Sequence, residues 1–239
     1  MSIFLPKGVI KSSFVCLVPL VALLALLNGT WDGGFIVQFL DLELNFMRVD
    51  KLSIVFGIIF CIAAFLGNVF AFHLRENTQP FVALIYAGAA IGAVFAGDLI
   101  TLFVYWELTA ISSVFLIWAR KTEGAYHSGM RYLIIQVLSG VVLLFGVALF
   151  YFETGSISFV KMELSSLATA LIFIAFGIKC AFPFMHNWLQ DSYPSATITG
   201  TVILSAFTTK LAVYALARGF PGTELLIYIG AVMTVFPIF

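Results

Sequence analysis

The chain has 239 residues, 62% of them hydrophobic and 10% charged, with twelve acids balancing twelve bases. A soluble domain carries about 25% charged residues, so a mean hydropathy of +1.10 at zero net charge excludes a water-soluble enzyme, a nucleic-acid binder and a disordered chain. What remains is an all-α integral membrane protein, its partner the lipid bilayer, with helices of about 20 apolar residues each.

Uncharged apolar runs predict about eight spans, near 12–28, 52–73, 80–97, 99–118, 131–152, 166–185, 196–217 and 223–239. The runs are continuous, as at Val141-Val142-Leu143-Leu144-Phe145. That excludes the short alternating strands of a membrane barrel. A helix satisfies its own backbone hydrogen bonds in lipid. The first run has a basic flank at Lys7 and Lys11 but lacks the small-residue cleavage site of a signal peptide. The longest polar connection runs from Gly29 to Lys51.

Short-loop basic residues set orientation. Lys7, Lys11, Arg75, Arg120, Lys121 and Arg131 fall on one side, and Arg48, Lys51, Lys161 and Arg218 on the other. The second side also holds most acids, among them Asp32, Asp41, Glu43, Asp50, Asp98 and Glu153. The bias places the N-terminus and the 119–130 loop in the cytoplasm.

Cys16, Cys61 and Cys180 lie inside apolar runs and form no C-x-x-C pair; they read as small buried hydrophobes. His73, His127 and His186 sit at span ends, too scattered for a metal site. No phosphate-binding or dinucleotide glycine motif is present. The sequence therefore offers no case for a cofactor, a metal or an enzymatic site.

Three ionisable residues fall well inside predicted spans: Glu107, Lys179 and Lys210. Each costs on the order of 2.5–3.5 kcal/mol at a span centre. As structure, they would be a buried ion pair, which need not stabilise at all; one acid cannot fully pair two lysines. As function, they are protonatable groups that hand a proton across the membrane. Glu107 is flanked on its helix by Phe103, Val104, Ala110 and Ile111, so its partner must come from another helix, and Lys179 is the expected one. Gly177 and Pro183 flank Lys179 and predict a kink or break there, because proline cannot donate to the carbonyl of residue 179. Interrupted helices at mid-membrane recur at ion sites. Thr197, Thr199, Thr201, Ser205, Thr208 and Thr209 crowd the span bearing Lys210; they read first as close helix packing and second as supports for a water wire.

Four segments, in order, resemble a known family. Val49-Asp50-Lys51-Leu52-Ser53 is similar to its x-D-x-L-S helix start. Gly97-Asp98-Leu99-Ile100-Thr101-Leu102-Phe103-Val104-Tyr105-Trp106-Glu107-Leu108 resembles its N-L-L-x-L-F-x-x-W-E-L segment. Gly177 to Asp191 resembles K-x-x-x-x-P-x-H-x-W-L-P-D-A, with Gln190 where proline is usual, and Leu204 to Tyr214 resembles L-x-x-x-x-x-K-x-x-x-Y. These are the antiporter-like membrane subunits. The D-type branch of the multisubunit Mrp Na⁺/H⁺ antiporter is the most similar, and the proton-pumping subunits of respiratory complex I are related to it.

The resemblance implies a monovalent cation/proton antiporter component. One alternative is a pumping component of complex I or a membrane hydrogenase, and another is an inactive structural remnant. It implies roles in a proton path for Glu107, Lys179 and Lys210, and a place for His186 at its mouth or in helix ordering. The family has about fourteen helices in two inverted repeats. The implied division is a first helix and outer connection (1–51), two further helices (52–97), a first antiporter-like repeat (98–222) and the start of a next helix (223–239). Implied partners are the other antiporter-complex subunits and a chain supplying the second repeat, in the cell inner (plasma) membrane.

Overall fold

The computed structural model describes residues 9–29, 34–40, 42–74 and 76–235. Lys7, Asp32, Asp41, Arg75 and the last four residues of the 223–239 span lie outside the described residues. Helix α1 (Val9–Asn28) leads to a hairpin of β1 (Phe35–Phe39) and β2 (Leu42–Met47). Then come α2 (Lys51–Phe70), α3 (Thr78–Phe95), α4 (Leu99–Trp118), α5 (Glu123–Thr154), α6 (Leu167–Cys180), the short α7 (Asn187–Ser192), α8 (Ile198–Gly219) and α9 (Glu224–Val235). Six of these helices are long and apolar enough to cross a membrane, and α6 and α9 are shorter apolar helices. Together they account for the eight expected runs.

The caps explain where helices begin. Asp50 forms a capping box with Ser53 at α2, Asp98 accepts from the Thr101 N–H at α4, and Ser166 with Thr169 opens α6. Such caps satisfy the orphan N–H groups of a first turn. Thr122 caps α5 by accepting from Ala125 N. The expected 119–130 loop is thereby reduced to a short turn. α5 runs 32 residues, about 48 Å at ~1.5 Å per residue, so it outreaches a hydrocarbon core of about 30 Å.

The polar connection from 29 to 51 holds the antiparallel hairpin, paired from Phe35↔Met47 to Phe39↔Leu42. Its signal in the sequence is the alternation Leu42-Glu43-Leu44-Asn45-Phe46, a period of two. Asn45 fastens it to the α3–α4 junction: its N–H donates to Asp98 Oδ2 at 2.7 Å and its carbonyl accepts from Gly97 N at 2.9 Å.

Helices α1 to α6 pack in sequence, while α8 sits centrally against α2, α3, α4 and α6. Phe60, Tyr86 and Phe207 form edge-to-face contacts at its core. Outward faces remain apolar, with Ile134, Leu138, Val141 and Phe145 of α5 exposed; this suits a lipid-facing surface. Several basic residues outside the spans are held by local contacts. Lys11 donates to the Glu76 carbonyl and Asn77 Oδ1. Arg131 pairs with Asp191. At the other end of α2, Arg48 donates to the Phe159 carbonyl at 2.8 Å.

Candidate functional site

The expected break in the 166–185 run is present, but Pro183 alone does not make it. α6 ends at Cys180 because Ala181 takes the left-handed conformation (φ 62°, ψ 51°). Ala181 N–H then bonds the Ile178 carbonyl at 3.1 Å and Phe182 N–H the Gly177 carbonyl at 3.0 Å. That pairing is a Schellman stop. Gly177 acts by its size: a Cβ there would stand 2.5 Å from the Phe182 ring, which folds back onto the helix. Pro183 lies within the break, and Trp188 of α7 spans it by donating to the Ile178 carbonyl at 3.0 Å.

The stop places Lys179 in the last turn of α6, where the negative end of the helix dipole favours a cation. The side chain is fully buried. Nζ donates to the Trp106 carbonyl at 2.8 Å and to Thr109 Oγ1 at 3.0 Å, and it sits 4.3 Å from the centroid of the Trp106 ring. The last is a cation–π contact. Trp106 is itself fixed: its Nε1 donates to Ser139 Oγ, which donates to the Ala175 carbonyl. One serine thus ties α4, α5 and α6 around the lysine.

Glu107 does not form the expected ion pair with Lys179. Among the described residues, the ion pairs involve neither of them. The reason is helical geometry. Successive side chains on α4 point about 100° apart, so Trp106 and Thr109 meet α6 while Glu107 turns to α5. There it rests on Gly140, where an added Cβ would overlap Glu107 Oε1. Oε1 is buried and without a hydrogen-bond partner.

Lys210 does not join them. It is exposed on α8 and donates to the Ser205 carbonyl at 2.9 Å. His186 is half-buried just before α7 and lines a cavity of about 430 Å³ with Cys180, Pro183, Gln190, Thr209 and Met233. The cavity lies between the break in α6 and the Lys210-bearing helix. Four of the threonine hydroxyls bond neighbouring elements. Thr197 and Thr199 donate to Gln79 Oε1, Thr201 donates to the Tyr193 carbonyl, and Thr208 bonds Tyr86. Thr199 is buried while Lys210, further along the same helix, is exposed, so the hydroxyls and the lysine stand in different environments.

The residues that sequence reasoning missed are Thr109, Ser139 and Gly140. Only Gly140 carried a signal, as a glycine in the middle of a long helix, where it costs about 1 kcal/mol against alanine. Among the described residues no cluster of His, Cys, Asp or Glu could hold a metal.

A second charged cluster stands at the far end of α2 and α8. Arg218 Nη1 and Nη2 donate to the two oxygens of Asp50 at 2.7 and 2.8 Å, and its Nε donates to the Tyr214 hydroxyl at 2.6 Å. Burial pushes the Asp50 carboxyl up. The Arg218 hydrogen bonds, the Ser53 N–H and the charges of Arg218 and Arg48 outweigh it and hold Asp50 well below the usual carboxylate range.

Fold and site together define a multi-pass helical membrane protein with a lysine buried beside a helix break and a carboxylate one helix face away. Residues 96–238 match the family described as NADH:quinone oxidoreductase/Mrp antiporter, TM, and the chain belongs to that family. It is 30% identical over 232 residues to the A-type subunit of the Na(+)/H(+) antiporter of Alkalihalophilus pseudofirmus, covering 86% of this chain and 29% of that protein. The A1-type subunit of the Na(+)/H(+) antiporter of Staphylococcus aureus is 28% identical over 234 residues, covering 87% and 29%. The chain therefore spans less than a third of those relatives.

Two solved structures share the fold. The Mrp complex from Dietzia sp. DQ12-45-1b has a TM-score of 0.77 at 24% identity over 92% of this chain and 46% of that one. Respiratory complex I from Thermus thermophilus has a TM-score of 0.79 at 23% identity, over 94% and 51%.

Proposed function

We propose that the chain is part of a large membrane subunit of an Mrp-type Na⁺/H⁺ antiporter and moves protons or monovalent cations along Glu107, Lys179 and Lys210. The single observation that carries this reading is Lys179. A fully buried ammonium is held by two neutral oxygens and a ring face, with no carboxylate bonded to it. A charge kept in a span without an ion pair is expensive, and its default reading is functional. The Glu107 carboxylate, on the adjacent face of α4, is the group that accepts or supplies its proton. His186 belongs to the mouth of the path, in the cavity that adjoins the break at Gly177 and Pro183.

The expectation of a D-type component rests on motif likeness. The relatives described above carry A-type names, which favours an A-type role within the same family. The division at 52, 98 and 223 is proposed with it; the family match begins at residue 96, beside the 98 boundary. The partners are other membrane subunits of such a complex. The setting is the plasma membrane, with the Lys11 and Arg120 end in the cytoplasm.

The test is proton flux in vesicles carrying the assembled complex. Glu107→Gln and Lys179→Ala each stop flux if the reading holds, and wild-type flux in either overturns it. A proton-pumping role in a complex I-type assembly is the second reading, favoured by the family description that joins both. Flux driven by a sodium gradient supports the first, and flux that requires quinone reduction supports the second.

A further inference from the structure

The α4–α5–α6 junction holds one more polar group that the proposed path does not use. Gln136 of α5 is completely buried, and neither its Oε1 nor its Nε2 has a hydrogen-bond partner. A buried amide without partners costs several kcal/mol on the scale of transfer to an apolar phase, and native proteins satisfy nearly all such groups with protein or water.

Its position follows from three contacts between α4 and the antiparallel α5. Ser113 Oγ meets the Tyr132 hydroxyl at 2.7 Å, Trp106 Nε1 meets Ser139 Oγ at 3.1 Å, and Glu107 rests on Gly140. Residue 136 stands between these, level with Thr109, whose hydroxyl accepts from Lys179 at 3.0 Å. It is also one helical turn from Gly140, and side chains at that spacing lie on one face about 5–6 Å apart. Unmet hydrogen-bonding capacity on this junction is of two kinds, both ends of the Gln136 amide and Glu107 Oε1. Lys179 beside them spends two of its three N–H donors on Trp106 and Thr109 and rests on the Trp106 ring.

We propose that Gln136 is a positioning residue that holds water between Lys179 and Glu107, so that the two exchange a proton through that water. The inference rests on the function proposed above. The amide donates through Nε2 and accepts through Oε1. That suits a water making roughly three hydrogen bonds in a buried polar site. In the transfer, an N–H bond of the Lys179 ammonium breaks as the water gains that proton, and the water releases a different proton to Glu107 Oε1. Lysine ends as a neutral amine, glutamate as a neutral acid, and the water and the amide are unchanged.

The experiment uses the assembled complex in vesicles with three variants. Gln136→Met keeps length and volume but removes both polar ends, Gln136→Glu restores polar ends, and Lys179→Ala is the reference. The expected result is a loss of proton flux of about tenfold or more in Gln136→Met, with flux regained in Gln136→Glu. The infrared carboxyl stretch of Glu107 should shift in Gln136→Met, because its hydrogen-bond partner is lost. Wild-type flux and an unshifted stretch in Gln136→Met, with flux stopped by Lys179→Ala, overturn this inference alone. Wild-type flux in Lys179→Ala overturns the functional reading and this inference with it. Should Gln136→Met not assemble, deuterium exchange of an isotope-labelled Gln136 amide in the unaltered protein decides: exchange supports the water, and a dry, non-exchanging amide overturns it.

Discussion

The molecule places charge in two regions by opposite rules. At the end of α2 and α8, Asp50 is gripped by both guanidinium nitrogens of Arg218, approached by Arg48 at 3.5 Å, and capped by the Ser53 N–H. Every oxygen there has a partner. At the α4–α5–α6 junction, the lysine is bonded to neutral groups, the glutamate has a bare oxygen, and the glutamine is unpartnered. The first arrangement joins chain segments 168 residues apart and leaves no oxygen of the Asp50 carboxylate unpaired, although Nε and Nη2 of Arg48 beside it have no hydrogen-bond partner. The second keeps its hydrogen-bonding capacity unspent in a place where leaving it unspent is costly. On the function proposed above, paired charge marks architecture here, and unpaired charge marks the place where a proton changes hands.

The sharpest way to break this contrast is to remove one charge from each region. Lys179→Ala is expected to lower proton flux by about a hundredfold or more while leaving the thermal stability of the assembled complex nearly unchanged, or raised by relief of the buried charge. Asp50→Ala should do the reverse. It leaves Arg218, with a side chain only 9% exposed, unpaired. The expected stability loss is about 2 kcal/mol, reduced from the 3–5 kcal/mol of a fully buried pair because Asp50 is a third exposed. Equal loss of flux in both variants would erase the distinction.

Gly140→Ala probes the junction without touching a charge. The new methyl occupies the seat of Glu107, and the flexible end of that side chain must swing away. Flux is expected to fall roughly tenfold or more, since small misplacement of a reacting group is costly, while the melting temperature stays within a few degrees.

A pH series sharpens the other region. The folded pKa of Asp50 is depressed, so its contribution is complete above the unfolded carboxylate value of about 3.9. It is lost only as pH falls below that value through the folded pKa. The stability difference between wild type and Asp50→Asn should be flat from neutral pH to about pH 5 and shrink below about pH 4. The smallest effect is expected at the break itself. Ala181→Gly relieves a left-handed alanine and should stabilise by about 1 kcal/mol, with no change in flux, as denaturation and flux assays on one preparation would show.

The fold was largely legible, for a physical reason. In lipid only long uncharged runs can satisfy their own backbone, so spans announce themselves, and all eight expected runs correspond to helices. The hairpin at 35–47 was overlooked because its alternation is short and sits between two strong helical signals. The site was legible as a set of residues and much less so as an arrangement. A charge at Lys179 or Glu107 is conspicuous against its neighbours. Whether two charges meet depends on the rotation of each helix about its axis, and that is fixed by contacts no single segment contains: Ser139 under Trp106, and Gly140 beneath Glu107. Lys210 shows the same limit, a mid-span charge by spacing but an exposed one in the packed molecule.

The measurement that tests the central claim most directly is proton flux across vesicles holding the assembled complex, compared between Lys179→Ala and Asp50→Asn at matched assembly. Flux abolished by the first and retained by the second is the expected result. Wild-type flux in Lys179→Ala would show that the unpaired lysine is only a feature of packing, and the account of the junction would fall.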